Sequence, residues 1–370
     1  MRRCVNILAS AAAVVIVVIA AVVVQALRVS GTDGVEAKLA EWGRDHGLSR
    51  EITLLERIQY DEDPPAVGGS PPGGIAVPGG AVTRALPSTA LDPAPLAVLA
   101  PGARLPNEGM WQTVVTVHGG PAVQVAELRP DASHTSFVAG VMRMDPKLIR
   151  GELRPGTRDP GGNWKAATYL TTPELRTVAA VFNGGFRLND PSHGGYYSDG
   201  RTVVPLLDGE ASLVLHADGT ADVGTWNDEV RMDPTVVSVR QNLVPLVDGG
   251  EVNPSCATGG QKEWGNTVGQ AAFIQRSGFG VTATGVEVYV AGPALSVCSL
   301  GRIMADAGVV RGMELDINPA WVSGAYFPNT MGDQSSGPPK GFRLYPAERV
   351  DPQHYLRSSS RDWLAWFTRT

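Results

Sequence analysis

The sequence predicts an α+β fold of mainly antiparallel or mixed sheets with a few packed helices, preceded by one N-terminal transmembrane helix. Three observations carry this reading. Short apolar runs with turn signals between them fill residues 110–317, convincing helical periodicity comes late and only once, and an uncharged apolar stretch opens the chain. With 370 residues, 43% of them hydrophobic and 18% charged, the chain has enough apolar material for one large core or two smaller ones.

Residues 1–4 form a cytoplasmic stub. Val5–Leu27 is a stretch of 23 residues interrupted only by Asn6, Ser10 and Gln25 and free of charge. About 20 such residues span a bilayer as a helix. Arg2 and Arg3 before it favour a cytoplasmic N-terminus, which puts the main domain on the extracytoplasmic side of a single-pass cell-membrane protein. The competing reading is a cleaved signal peptide ending near Val24-Gln25-Ala26, although the apolar run exceeds the roughly 7–15 residues usual for one.

Residues 28–60 read as a juxtamembrane helical segment. Leu39 and Trp42, then Ile52, Leu55 and Ile58, recur at helical spacing, with a break at Gly47. Residues 61–109 hold ten prolines and eight glycines, so neither helix nor sheet propagates and the segment reads as a linker that gives reach.

The domain proper is expected over 110–345. Residues 110–130 alternate as a hairpin, 135–146 read as a strand ending in a Pro turn, and 154–164 as a loop. Thr172–Leu175 starts a short helix, and 176–186 is a strand running into Asn183-Gly184-Gly185-Phe186. Hairpins turn around Ala217-Asp218-Gly219 and Thr284-Gly285. Between Ser296 and Ala307 the residues Val297, Leu300, Ile303, Met304 and Ala307 share one helical face, with Ser296 as N-cap and Gly308 as the stop. A strand follows over 309–317. The tail, 346–370, ends in "RDWLAWFTRT", which reads as a short helix packing Trp363, Trp366 and Phe367 on the domain.

Charge narrows the partners. The formal net charge is −6, and without Arg2, Arg3 and Arg28 the remainder carries 28 basic against 37 acidic residues, or −9. No nucleic-acid partner is expected for such a domain. Cys4 lies at the apolar stretch, which leaves Cys256 and Cys298 as the disulfide candidate in an oxidising compartment, the alternative being two free thiols. The six histidines show no ligand spacing with each other or with cysteine, so no metal site is read, and no cofactor is identified. Nucleotide-binding loops and the G-x-S-x-G elbow are missing from the sequence.

Three segments carry candidate chemistry. Gly184 and Gly185 permit positive φ or close approach to a ligand, and Asn183 offers both a donor and an acceptor to a sugar or phosphate; the ordinary alternative is turn punctuation. In "MELDINPAW", strand alternation puts Glu314 and Asp316 on one side, an arrangement suited to acid/base work, against the alternative of a solvated face. Arg276, on the strand of "FIQRSGFGVT", offers a guanidinium fork to a phosphate or is an ordinary surface arginine.

Together, "AAVFNGGF", "QRSGFGVTATGVEVYVAG", the helix "LSVCSLGRIMADAGVV" and "GMELDI" resemble the phosphodiester glycosidase domain family. Its members include N-acetylglucosamine-1-phosphodiester alpha-N-acetylglucosaminidase, the uncovering enzyme, and many exported bacterial proteins. Asn183, Gly184, Gly185 and Phe186 match the first family motif, Arg276 and Gly280 the second, with Ser277 in place of the usual Thr, and Asp316 the acidic position of the third. The third motif then diverges. Ile317-Asn318-Pro319-Ala320-Trp321 stands where Gly-Gly-Gly-Ser is expected, so a stiffer loop replaces a flexible one.

The resemblance implies a hydrolase of a sugar-1-phosphodiester in a cell-envelope glycan or glycolipid. Asp316 would be catalytic with Glu314 assisting, Asn183, Gly184, Gly185 and Arg276 would hold the phosphate, Asn318 would supply polar contacts, and Trp321 would stack on the sugar. It also leaves a divalent cation open. The alternative is a non-catalytic glycan-binding or exopolysaccharide-assembly module on the same fold.

Overall fold

The computed structural model describes residue 17 and residues 20–28, 34–52, 54–55, 64–82, 93–189, 194–265, 272–328 and 338–369. All strand ladders among them are antiparallel, as expected from hairpins following one another in sequence. The strands form three sheets.

The first sheet has eight strands in the order β1 (Gln112–Val117), β2 (Gly120–Leu128), β3 (Ala139–Met144), β14 (Glu287–Leu295), β13 (Ile274–Thr282), β15 (Val309–Glu314), β11 (Pro245–Asp248) and β12 (Glu251–Val252). The second has five, ordered β7 (Arg201–Val204), β6 (Tyr196–Ser198), β10 (Val236–Gln241), β8 (Ala211–His216) and β9 (Ala221–Thr225). The third also has five, ordered β17 (Phe342–Arg343), β16 (Gly324–Tyr326), β5 (Val178–Asn183), β18 (Trp363–Thr368) and β4 (Ile149–Arg154).

The main core draws on all three sheets. Phe182 of β5 stacks on Tyr289 of β14 and on Trp366 of β18, with ring centroids 4.2 and 4.6 Å apart, and Phe279 of β13 closes the group. Leu213, Leu215 and Val223 of the second sheet join the same cluster. A second cluster lies on the other side of the large sheet, where Val297, Leu300, Ile303 and Met304 of a helix (Val297–Asp306) meet Val288, Val290 and Val309. Burying each such side chain is worth about 1.5–3 kcal/mol.

The helix starts and stops as its sequence predicts. Ser296 Oγ accepts from the Ser299 amide at 3.0 Å, and Gly308 takes φ +87° past the end. Cys256 and Cys298 are joined by a disulfide that ties the first turn of this helix to the short 3-10 turn Pro254–Ala257.

The C-terminal residues depart from expectation. "WLAWFT" is a strand, not a helix, and it lies between β5 and β4 in the interior of the third sheet. Leu364 and Trp366 face the main core, while Trp363, Ala365 and Phe367 face a separate cluster on the sheet's other side. A strand covered on both faces has no polar alternation to show, so periodicity alone could not separate it from a helix. Residues 363–368, expected within the tail 346–370, thus pair within the third sheet.

The stretch expected to be a linker is strapped to the domain instead of reaching away from it. Gly68 N donates to Ser133 O at 2.7 Å, Val82 N to Thr113 O at 2.8 Å and Gly109 N to Glu127 O at 2.7 Å. Among its described residues it forms neither helix nor sheet.

A helix over Val35–Asp45, α1, breaks as expected at Gly47, which takes φ +82°. It docks on the domain through Glu41 and Asp45. The expected juxtamembrane helical segment, 28–60, thus packs on the domain through this helix. Most of the predicted membrane-spanning stretch, 5–16, 18 and 19, lies outside the described residues, and residues 20–27 are helical. No helix among the described residues is long and apolar enough to cross a membrane.

Candidate functional site

The three segments singled out in the sequence meet in one hydrogen-bonded knot. Asn183, the last residue of β5, donates from Nδ2 to Ser277 Oγ at 3.0 Å and to its neighbour's carbonyl, Gly184 O, at 2.8 Å. Its Oδ1 accepts from the Tyr289 hydroxyl at 2.7 Å and the Ser323 amide at 3.1 Å. Ser277 Oγ in turn donates to Asp316 O at 2.7 Å, and Asp316 N donates to Gly184 O at 3.2 Å. All four bonding positions of the Asn183 amide are filled from within the protein. It is a clamp between sheets.

Neither Gly184 nor Gly185 takes a positive φ. Close approach explains them. A Cβ at 184 would stand 2.3 Å from Asp362 Oδ2, and one at 185 would stand 3.0 Å from Asn242 Oδ1 and 3.1 Å from Arg240 Cζ. The turn is pressed against a buried ion pair in which Arg240 Nε donates to Asp362 Oδ2 at 2.8 Å.

Arg276 and Glu314 take each other. Arg276 Nη1 donates to Glu314 Oε1 at 2.5 Å and Nε to Leu295 O at 3.0 Å, in a setting where neither side chain is more than 2% exposed. Arg276 is therefore on an interior strand, not at an edge, and its fork is turned to a carboxylate of the protein itself. Burial pushes the Glu314 carboxyl up, against the opposing pull of Arg276.

Asp316 has a different environment. It lies two residues past the end of β15 and lines a cavity of about 1470 Å³, together with Asn318, Trp321, Gln275, Arg187 and Arg361. Of the expected site residues, Asp316, Asn318 and Trp321 line this cavity, whereas Asn183, Gly184, Gly185, Arg276 and Glu314 do not. Asp316 Oδ1 accepts from the Asn318 amide at 2.9 Å and Oδ2 from Arg361 Nη1 at 2.5 Å. Burial pushes its carboxyl above the usual aspartate range, although Arg361 and the amides of Asn318 and Ile317 pull the other way.

The divergent loop forms a capped turn. Asn318 Oδ1 accepts from the Ala320 amide at 2.9 Å and Trp321 N donates to Asn318 O at 2.8 Å. Trp321 is 6% exposed, and the Arg361 guanidinium lies 4.7 Å from its ring centroid. The indole thus supports an arginine.

Arg361 is the residue that the sequence reading overlooked. It sits just before β18 and carries donors to Asp316 and, at 3.0 Å, to Glu41 of α1. Arg187, immediately after the Asn-Gly-Gly-Phe turn, faces Glu41 and Asp45 at 3.4 and 2.7 Å. The available signal was a charged pair, Arg361-Asp362, set against an apolar run that had to be buried.

Among the described residues no group of three or more His, Cys, Asp or Glu side chains is placed to hold a metal ion. The Asp316 oxygens are already engaged by an amide and a guanidinium, a donor environment that suits an anion and not a cation.

No family model matches the chain, and no curated protein matches it. Several solved structures do. The catalytic domain of zebrafish N-acetylglucosamine-1-phosphodiester alpha-N-acetylglucosaminidase, auto-inhibited by pro-peptide, matches with a TM-score of 0.44 and 13% identity over 70% of this chain and 88% of that one. A hypothetical protein from Synechocystis gives 0.35 and 13% over 70% and 62%. A Burkholderia pseudomallei protein described as exported gives 0.35 and 14% over 64% and 75%. Likenesses this distant say nothing about chemistry.

Proposed function

We propose that the cavity at Asp316 and Arg361 is the active site of an exported, membrane-anchored hydrolase that cleaves a sugar-1-phosphodiester in a cell-envelope glycan or glycolipid. One observation carries the proposal. A buried carboxylate with raised proton affinity opens on a large cavity beside two arginines, Arg361 and Arg187.

The arginines suit the phosphodiester anion, since planar guanidinium forks match phosphate oxygens. Asp316 then faces the anomeric carbon. A water attacks that carbon and gives its proton to the Asp316 carboxylate, while the bond from the anomeric carbon to the bridging oxygen breaks and the phosphate monoester leaves with the electron pair. A carboxyl with raised affinity for protons is the stronger base for this step. Phosphate leaves readily, so one carboxylate suffices and the guanidiniums stabilise the departing charge. Trp321 acts through Arg361, holding the guanidinium over the indole. Export is supported by the Cys256–Cys298 disulfide, which belongs in an oxidising compartment, and by the apolar stretch Val5–Leu27.

A second reading is a non-catalytic glycan-binding or exopolysaccharide-assembly module. It is favoured by the internal pairing of Asn183, Arg276 and Glu314, which leaves few polar groups of the three motifs facing the cavity. Turnover of a synthetic sugar phosphodiester by the purified protein separates the two. The hydrolase reading expects turnover that falls by about 10²-fold or more in Asp316→Asn. Binding without turnover supports the module, and wild-type turnover in that variant removes Asp316 from the mechanism.

A further inference from the structure

Helix α1 brings two carboxylates to three arginines. Glu41 Oε1 lies 3.0 Å from Arg361 Nη2 and its Oε2 lies 3.4 Å from Arg187 Nη1. Asp45, one turn further on, pairs through Oδ1 with Arg187 Nη2 at 2.7 Å and through Oδ2 with Arg158. Arg187 bridges the two positions. The helix is thus the scaffold for two carboxylates on one face, four residues apart, with Cβ atoms about 5–6 Å from each other.

The receiving side is built into the domain. Arg158 lies in a loop where its amide bonds to Ser360 O at 3.0 Å, Arg187 follows the Asn-Gly-Gly-Phe turn, and Arg361 sits two residues before the interior strand β18. The Nε atoms of Arg187 and Arg361 are buried without a hydrogen-bond partner, so the cluster has donors to spare. The acids near it are Asp316, paired with Arg361, Asp159, which accepts from the Leu188 amide at 3.0 Å, and Asp362, which Arg240 holds at 2.8 Å. Without the two α1 carboxylates, four guanidiniums, counting Arg240, face the three carboxylates of Asp316, Asp159 and Asp362, and a net positive subsite remains.

We infer that Arg158, Arg187 and Arg361 form a two-anion subsite that α1 fills with Glu41 and Asp45, and that its ligand carries two phosphate groups about one helical turn apart. This rests on the hydrolase reading above and extends it. Arg361 takes the phosphodiester next to Asp316 with Nη1 of Arg187 reaching it from the side, and Arg158 with Nη2 of Arg187 takes a second one further along a polymer of repeating phosphodiesters. An isolated sugar phosphate fills only half the cluster and competes poorly with the helix.

The test uses the full chain, with propanediol bisphosphate and propanediol monophosphate as probes in calorimetric titration. Glu41→Gln combined with Asp45→Asn is expected to tighten the bisphosphate by about tenfold, and to leave it at least about tenfold tighter than the monophosphate. Adding Arg158→Gln on that background is expected to bring the bisphosphate down to the monophosphate level. In the wild-type chain, the bisphosphate and not the monophosphate is expected to speed amide exchange over residues 35–45, a readout that needs no substitution. Equal affinities for the two probes, with the monophosphate bound, overturn the two-anion subsite and leave the hydrolase reading standing. Absence of binding by both probes to the Glu41→Gln, Asp45→Asn chain overturns the subsite and the phosphate-holding role of Arg361 together.

Discussion

Arg276 and Glu314 show how a residue's partner decides its role. Each has the chemistry of an active site, yet they neutralise each other in the interior at 2.5 Å, where removing one member leaves a buried, uncompensated charge. Replacing Arg276 by Met is expected to cost about 3–5 kcal/mol in urea unfolding at neutral pH, and a second change, Glu314→Leu, to recover most of it. A single variant as stable as wild type would show that the pair contributes nothing. That the Asn183 and Asp316 segments come together was legible in the sequence, and Arg276 and Glu314 pair beside them on the neighbouring strands β13 and β15. Which of them open on the cavity was not, since that depends on cross-strand partners such as Tyr289, Ser323 and Leu295 that no local pattern names. Arg361 was missed for the same reason: its importance comes from Asp316 and Glu41, which are 45 and 320 residues away in sequence.

At the level of elements, the Ser296-capped helix declares itself because its apolar residues repeat at helical spacing, and the hairpin of β13 and β14, buried along nearly its whole length, through the Thr284-Gly285 turn between its strands. Strand β18 does not. It is buried on both faces, and its Trp366 stacks 4.6 Å from Phe182 while the Nε1 proton goes to Glu287 Oε2 at 2.5 Å. Trp366→Ala is expected to cost about 3–5 kcal/mol and to lower the thermal midpoint sharply, since it opens a cavity where two sheets meet. A terminal helix lying on the surface would lose far less. The Pro- and Gly-rich stretch 61–109 is another case where composition excluded regular structure correctly but said nothing of attachment. Its backbone bonds to the domain individually, at Ser133, Thr113 and Glu127, without forming a ladder.

For the whole molecule, several carboxyls are buried where burial outweighs their partners. Glu287 is pushed up to about 8 and Glu127 to about 7, both by burial, from an ordinary value of 4.5, and Glu348 is raised by burial as well. A carboxyl whose affinity for protons is higher folded than unfolded contributes its full stability below the unfolded value, and loses it as pH rises through the folded value. Glu41, Glu108 and Glu174 are shifted the other way: burial raises each, but for Glu41 the charges of Arg361, Arg187 and Arg44 outweigh it, and for the other two hydrogen bonds led by Arg129 and Arg154 do. Their contribution is lost only as the medium becomes strongly acidic. Thermal midpoints are therefore expected to fall from about pH 5 to pH 8, with Glu287→Gln flattening the slope; a rise over that interval would contradict the account. The central claim concerns the place where a phosphodiester sits, and a crystal of the Glu41→Gln, Asp45→Asn protein soaked with a non-hydrolysable sugar phosphonate tests it most directly. The account predicts phosphorus within hydrogen-bonding reach of Arg361 and the anomeric carbon facing Asp316, whereas a ligand seated away from both would contradict it.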